Sequence, residues 1–132
     1  MKFYAIAFNG IPAQRIQAFV REILHIRAEN VRNSDLYTDE KGSFEYDDSV
    51  DLAAYFAQSR TICTINLRCL QFHKEYQNVL CMVEHDGDCL KAECSLAAPD
   101  FPESEIPALR AWAETLIEQG YISDADIYDD YE

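Results

Sequence analysis

Between Cys63 and Leu96 the chain alternates apolar and polar residues with a period of two, and this limits its fold more than any other feature. Cys63, Ile65, Leu67 and Cys69 alternate with Thr64, Asn66, Arg68 and Leu70. A second run covers Tyr76 to Glu84, and a third covers Cys89 to Leu96. Successive side chains of a strand point to opposite sides of its sheet, so this period predicts strands with one buried face. The last two runs are separated by His85-Asp86-Gly87-Asp88, and Asp-Gly at the centre of a two-residue turn is a strong hairpin signal. A turn centred on Asp86-Gly87 sets Val83 against Leu90, Cys81 against Ala92 and Val79 against Cys94, all apolar. The other face then pairs Glu84 with Cys89, Met82 with Lys91 and Leu80 with Glu93, which is wetter. The first run joins through His73-Lys74-Glu75 and is expected to put Leu67 and Cys69 on the same core face. The prediction is a three-stranded antiparallel meander at about residues 61–97.

The flanking segments supply helices and one more strand. Lys2 to Phe8 is apolar on both faces, which suits an interior strand covered on both sides and ended by Asn9-Gly10. Pro12 fits a first helical turn, and Ile16, Phe19, Val20, Ile23 and Leu24 form an apolar stripe, predicting a helix at about 12–26. Ser49 is placed to cap a short helix at about 50–58, with Leu52, Ala53, Tyr55 and Phe56 on its apolar side. Ile106, Leu109, Trp112, Ala113, Leu116 and Ile117 predict a helix at about 103–119, closed by Gly120, with Trp112 in the core. The expected class is α+β, a mainly antiparallel sheet packed by helices. A length of 132 residues suits a single globular domain, and residues 123–132 read as an acidic, flexible C-terminal tail.

Charge narrows the function. The chain has 24 acidic and 11 basic side chains, a formal net charge of −13, which disfavours direct contact with nucleic acid through a general basic surface. The charge is uneven. Residues 1–34 are net +3, whereas residues 35–51 are net −6 and residues 121–132 net −5. The acids concentrate in two segments that also hold five of the eight tyrosines. The first carries Asp35, Tyr37, Asp39, Glu40, Glu45, Tyr46, Asp47 and Asp48, with Lys41-Gly42 as a turn between two short strands. The second carries Asp124, Asp126, Tyr128, Asp129, Asp130 and Tyr131. Carboxylates steer and pair with a basic partner, and tyrosines add flat amphipathic contact area at low entropic cost. These fourteen residues are the candidate partner-binding set. Replacing Glu45, Asp47 and Asp48 by amides is expected to leave the fold intact and to weaken binding.

Catalytic and metal-binding patterns are missing from the sequence, and no cofactor is expected. His85 and Cys89 would flank a tight turn on opposite faces, too far apart in direction to act as base and nucleophile. Asp86, Asp88, Asp124 and Asp126 lack the spacing of a calcium loop, and neither His25 nor His73 has a second ligand at zinc spacing. No glycine pattern fits a phosphate cradle. The five cysteines (Cys63, Cys69, Cys81, Cys89 and Cys94) are odd in number and contain no Cys-x-x-Cys pair, so they read as reduced packing residues. The apolar stretch at the start is too short for a signal peptide, and no run is long enough for a membrane helix, so a cytoplasmic location is expected.

A small acidic α+β chain without catalytic motifs, bearing the segments Asp35 to Asp48 and Tyr121 to Glu132, resembles the bacterial toxin-immunity proteins in general character. The resemblance implies a stoichiometric inhibitor, not an enzyme, that binds a cognate basic toxin (a nuclease being the common case) inside the producing cell. The alternative is a nucleic-acid mimic whose carboxylates imitate phosphates and block a DNA-binding or defence protein. The alternating strands leave few acids in a regular ladder, which favours the first.

Overall fold

Strands β4 (Cys63–Gln71), β5 (Glu75–Asp86) and β6 (Cys89–Ala97) pair antiparallel in chain order, as the alternation predicts. They are the centre of a larger sheet that includes β1 (Lys2–Ile11), β2 (Val31–Thr38), β3 (Gly42–Phe44) and β7 (Asp124–Tyr131). The structure, a computed structural model, describes residues 2–58 and 62–131. The sheet has seven strands in the order β3-β2-β4-β5-β6-β1-β7, and every neighbouring pair is antiparallel.

The β5–β6 register differs from the expected one by two residues. Val83 faces Ala92, Cys81 faces Cys94 and His85 faces Leu90. The turn centres on Gly87-Asp88, where Gly87 has φ 63°. A positive φ at the first central position is what a type II′ turn demands, and glycine adopts it without steric cost. A slip of two is one full pleat period, so every side chain keeps its predicted face. The slip also brings Glu84 opposite Lys91, whose ammonium lies 3.2 Å from the carboxylate. The expected register would have set Lys91 against Met82.

A second departure lies at the far end of the same strands. Cys63, Ile65 and Leu67 are buried, but Cys69 is only partly so, and Leu70 takes the core position instead. Opposite, Val79 and then Tyr76 are buried. The parity changes at Asn78, which has φ 56°, and asparagine is among the few non-glycine residues that tolerate this region.

The three helical segments lie on one side of the sheet. The first is composite: a 3₁₀ turn over Ala13–Arg15, an α-turn over Ile16–Ala18 (α1) and a π-turn over Phe19–Ile23. The amide of Leu24 reaches back five residues to the Phe19 carbonyl at 3.0 Å. Ile16, Phe19, Val20 and Leu24 are fully buried, as the stripe predicts. The short helix is α2 (Leu52–Gln58), and its cap is not Ser49: Asp51 Oδ1 accepts the Ala54 amide at 3.1 Å. Gln17 joins the two helices, donating to Val50 O at 3.2 Å and accepting from the Leu52 amide at 2.7 Å. The last helix, α3 (Ile106–Glu118), follows a 3₁₀ turn over Glu103–Glu105 that lets Pro107 sit in its first turn. Phe8 is the hub of the core, with its ring 5.5 Å from Phe19, 5.6 Å from Phe72 and 5.9 Å from Trp112. Trp112 itself is partly buried against that hub. No helix among the described residues is long and apolar enough to cross a membrane.

β1 differs from its prediction in extent and surroundings. It continues through Asn9-Gly10 to Ile11, with a bulge between Phe8 and Ile11. Tyr4, Ile6 and Phe8 face the helices. Ala5 and Ala7 are also buried, although they lie on the other face. They are small, and their neighbours across the ladder are Ser95 and Tyr128, and Glu93 and Asp126. The burial therefore comes from taller side chains on either side and not from a second helical layer. The segment expected to be a flexible tail is β7 over Asp124–Tyr131, paired with β1 along its length.

Gly10 packs closely against Ser123, the residue that leads into β7. Its φ is +66°, and a Cβ there would stand 1.9 Å from Ser123 Oγ and 2.7 Å from Ser123 Cβ. Gly10→Ala is expected to destabilise the fold by about 2–3 kcal/mol, through both the strained φ and the clash. Thermal melting checks this, and an unchanged Tm would show that β7 is not held at Ser123. A second tie joins the β4–β5 connection to the start of α3, where Glu105 takes Lys74 at 2.5 Å and His73 at 3.0 Å. The Lys74 bond, then the His73 bond, holds the Glu105 carboxyl below the usual glutamate range. A lowered folded pKa stabilises above the ordinary value, and that gain is lost as pH falls through the lowered one. Glu105→Gln is expected to reduce stability at neutral pH and to flatten the acid limb of the stability–pH curve. Parallel curves for the two proteins would overturn the assignment.

Candidate functional site

The first acidic segment divides into a displayed half and a stitching half. Leu36 faces the core, so its neighbours Asp35 and Tyr37 face the other side of the sheet, both exposed. Asp39 and Glu40 are exposed in the β2–β3 turn. In the second half Glu45, Asp47 and Asp48 are exposed too, but each is bonded to neighbouring backbone. Glu45 accepts from the Ser34 amide at 3.0 Å and the Ser34 hydroxyl at 3.1 Å. Asp47 accepts from the Ser49 hydroxyl at 2.5 Å and the Ser49 amide at 2.7 Å, and these bonds keep its carboxyl below the usual aspartate range. Asp48 accepts from the Ala28 amide at 2.8 Å. Tyr46 is 4% exposed and belongs to the core, with its hydroxyl donating to the Ile26 carbonyl at 3.1 Å. Its ring is therefore not part of the accessible surface, which corrects the expectation from sequence. Burial raises its phenol pKa above the ordinary value.

The second segment is an edge strand. Ala125 and Ile127 pack toward the core side, so Asp126 and Tyr128 face the uncovered side. Asp126 accepts from Asn9 Nδ2 at 3.2 Å, and the Tyr128 hydroxyl donates to Glu93. Asp129 lies 3.5 Å from the Lys2 ammonium, and Asp124 is exposed at the start of the strand. Asp130 and Tyr131 have their backbone in β7, and their side chains lie outside the described part of the structure.

The strand registers connect the two segments. One row of Cα partners runs Asp35, Thr64, Met82, Glu93, Ala7, Asp126. The next runs Asn33, Asn66, Leu80, Ser95, Ala5, Tyr128. β2 and β7 are five strand spacings apart, or about 24 Å. The acidic segments thus do not form one cluster; they stand at opposite ends of a single open sheet face. That face also holds the exposed large apolar side chains Tyr37, Leu80 and Tyr128. Leu80, Met82, Glu84 and Glu93 escaped the candidate set, because sequence composition ranks segments by acid density and these residues come from strands of mixed composition. Their signal was the wet face of the predicted hairpin.

His85 lies on the core side with its ring 5.5 Å from Phe56, while Cys89 is on the other face. Burial, with Cys81 and Asp35 adding to it, pushes the Cys63 thiol up, and a bond from Cys81 together with burial does the same to Cys94. Raised thiol pKa values disfavour the nucleophilic thiolate. Among the described residues no three His, Cys, Asp or Glu side chains converge as metal ligands. The apolar cleft between α3 and β7 is lined by Leu109, Ala113, Ile117 and Ile127, with Arg110 and Glu114 at its side.

No protein-family model matches this chain, and no curated protein matches it significantly. The fold is similar to that of a chain in a 1.75 Å crystal structure, the toxic C-terminal tip of CdiA from Pseudomonas aeruginosa in complex with immune protein. The TM-score is 0.74 at 14% identity, over 100% of this chain and 88% of that one. At this identity the likeness is one of fold.

Asp48 is the clearest case of a candidate binding acid with structural work. Asp48→Ala is expected to speed hydrogen exchange at the Ala28 amide, and Asp48→Asn, which keeps an acceptor oxygen, to leave it nearly unchanged. Equal protection in the Ala variant would return Asp48 to the displayed set.

Proposed function

We propose that this chain is a stoichiometric protein inhibitor, an immunity protein that neutralises a cognate basic toxin in the cytoplasm of the producing bacterium. It is read as a binding protein, not an enzyme. The observation that carries the proposal is the strand parity that sets Asp35 and Tyr37 at one end, and Asp126 and Tyr128 at the other, of one uncovered sheet face. Similarity of fold to a chain from a toxin–immune protein complex supports it. Carboxylates at both ends suit a partner whose own site is cationic, and a nuclease cleft, built to hold phosphates, has that chemistry. A nucleic-acid mimic is less well supported, because the middle of the face carries Leu80, Met82, Ala5 and Ala7 in place of a regular ladder of carboxylates.

The purified product of the gene immediately upstream is expected to bind this chain at 1:1 and to lose its activity on binding. Its association rate should fall at least about tenfold between low and high salt, as electrostatic steering does. A salt-independent association rate, or a complex that leaves the toxin active, would count against the proposal.

A further inference from the structure

We infer that the partner docks on the middle of the open sheet face, around Leu80 and Met82, and that it presents a cationic surface there. This deepens the inhibitor proposal and rests on it. The open face spans about 24 Å across the strands and about 30 Å along them, roughly 700 Å², close to the ~800 Å² each partner gives a standard interface. Its centre carries Leu80, 36% exposed and set between Asn66 and Ser95, and Met82, set between Thr64 and Glu93. Asp35, Glu84, Glu93 and Asp126 surround that centre; the cations on the same face are Lys91, Arg68, which donates to the Val31 carbonyl at 3.0 Å, and Arg32, which donates to Asn78 Oδ1 at 2.5 Å. Lys91 is already held by Glu84 at 3.2 Å.

Three of these four carboxylates are held in place before a partner arrives. Asn9 donates to Asp126, Tyr128 to Glu93 and Lys91 to Glu84. A carboxylate offers about four acceptor sites, so each keeps capacity for an incoming Arg or Lys. Fixing them beforehand lowers the ordering cost of association. The helical side offers no such arrangement. There Arg15 donates to the Gln119 carbonyl and Arg21 to the Val50 carbonyl. A second copy of this chain is the wrong occupant, because face-to-face pairing would oppose like charges in a molecule of net charge −13.

The test uses the full chain and the purified product of the upstream gene, with affinity measured for four single variants. Leu80→Lys is expected to weaken binding at least about 100-fold, and Leu80→Asp no more than about tenfold, because only the first repels a cationic partner. Glu93→Lys should weaken binding at least about 30-fold. Its charge-matched counterpart Glu118→Lys, at the exposed end of α3, should stay within about threefold. Melting curves separate these losses from unfolding, and any variant with a lowered Tm is replaced by Met82→Lys. Wild-type affinity in Leu80→Lys overturns the docking face and leaves the inhibitor proposal standing. Equal losses in Leu80→Lys and Leu80→Asp overturn the cationic occupant. Self-association in sedimentation that Leu80→Lys abolishes makes a second copy the occupant and overturns the inference. An upstream product that does not bind the wild-type chain removes the inhibitor proposal, and the docking face with it.

Discussion

The rest of the structure depends on burying one face of a single antiparallel sheet. Seven strands alternate their side chains, and helices cover only the side that carries Ile6, Phe8, Ile65, Cys81, Val83 and Leu96. No polar or charged residue among those described is buried in that layer, so its stability comes from apolar contact and from aromatic edges around Phe8. The uncovered side is then free to be polar and to be used. A chain of this length with one helical layer has no second core to build, and its remaining surface is a broad, slightly apolar, acid-rimmed plane.

The excess of carboxylates has two physical roles that composition alone merges. Glu45, Asp47 and Asp48 accept backbone amides and hold the connection from β3 to α2, the task that capping and Asx-turn residues perform elsewhere. Asp35 and Asp126 stand on the open face, and Asp124 and Asp129 charge the edge strand β7. Charged side chains on an edge strand oppose pairing with other sheets. The charge on this edge thus also opposes strand-to-strand aggregation.

The parts of the fold legible in the sequence were those written in local periodicity. The meander from Cys63 to Leu96 and the stripes of Ile16–Leu24 and Ile106–Ile117 carry their burial in their spacing. What spacing could not convey was backbone chirality at single residues. Gly87 and Asn78 take positive φ, and between them they move the hairpin register by one pleat period and exchange Cys69 for Leu70 in the core. Of the candidate site, Asp35, Tyr37, Asp126 and Tyr128 are exposed where a partner could meet them, whereas Tyr46 is lost to the core. Nothing in the run Phe44 to Asp48 distinguishes the buried tyrosine, because its burial depends on the Ile26 carbonyl twenty residues away.

By itself, the sequence determined that this chain would form an antiparallel sheet with helices on its apolar side, and that its acids would fall in two tyrosine-bearing segments. Periodicity and charge are local properties, and a reader needs no partner residue to see them. Tertiary structure alone decided that residues 124–131 are a strand and not a tail, since their partner β1 lies at the other end of the chain. It also decided that the two acidic segments share a face without touching. Both depend on strand order, which is set by which edges are left to pair once the core is buried, and no short window of sequence contains that information.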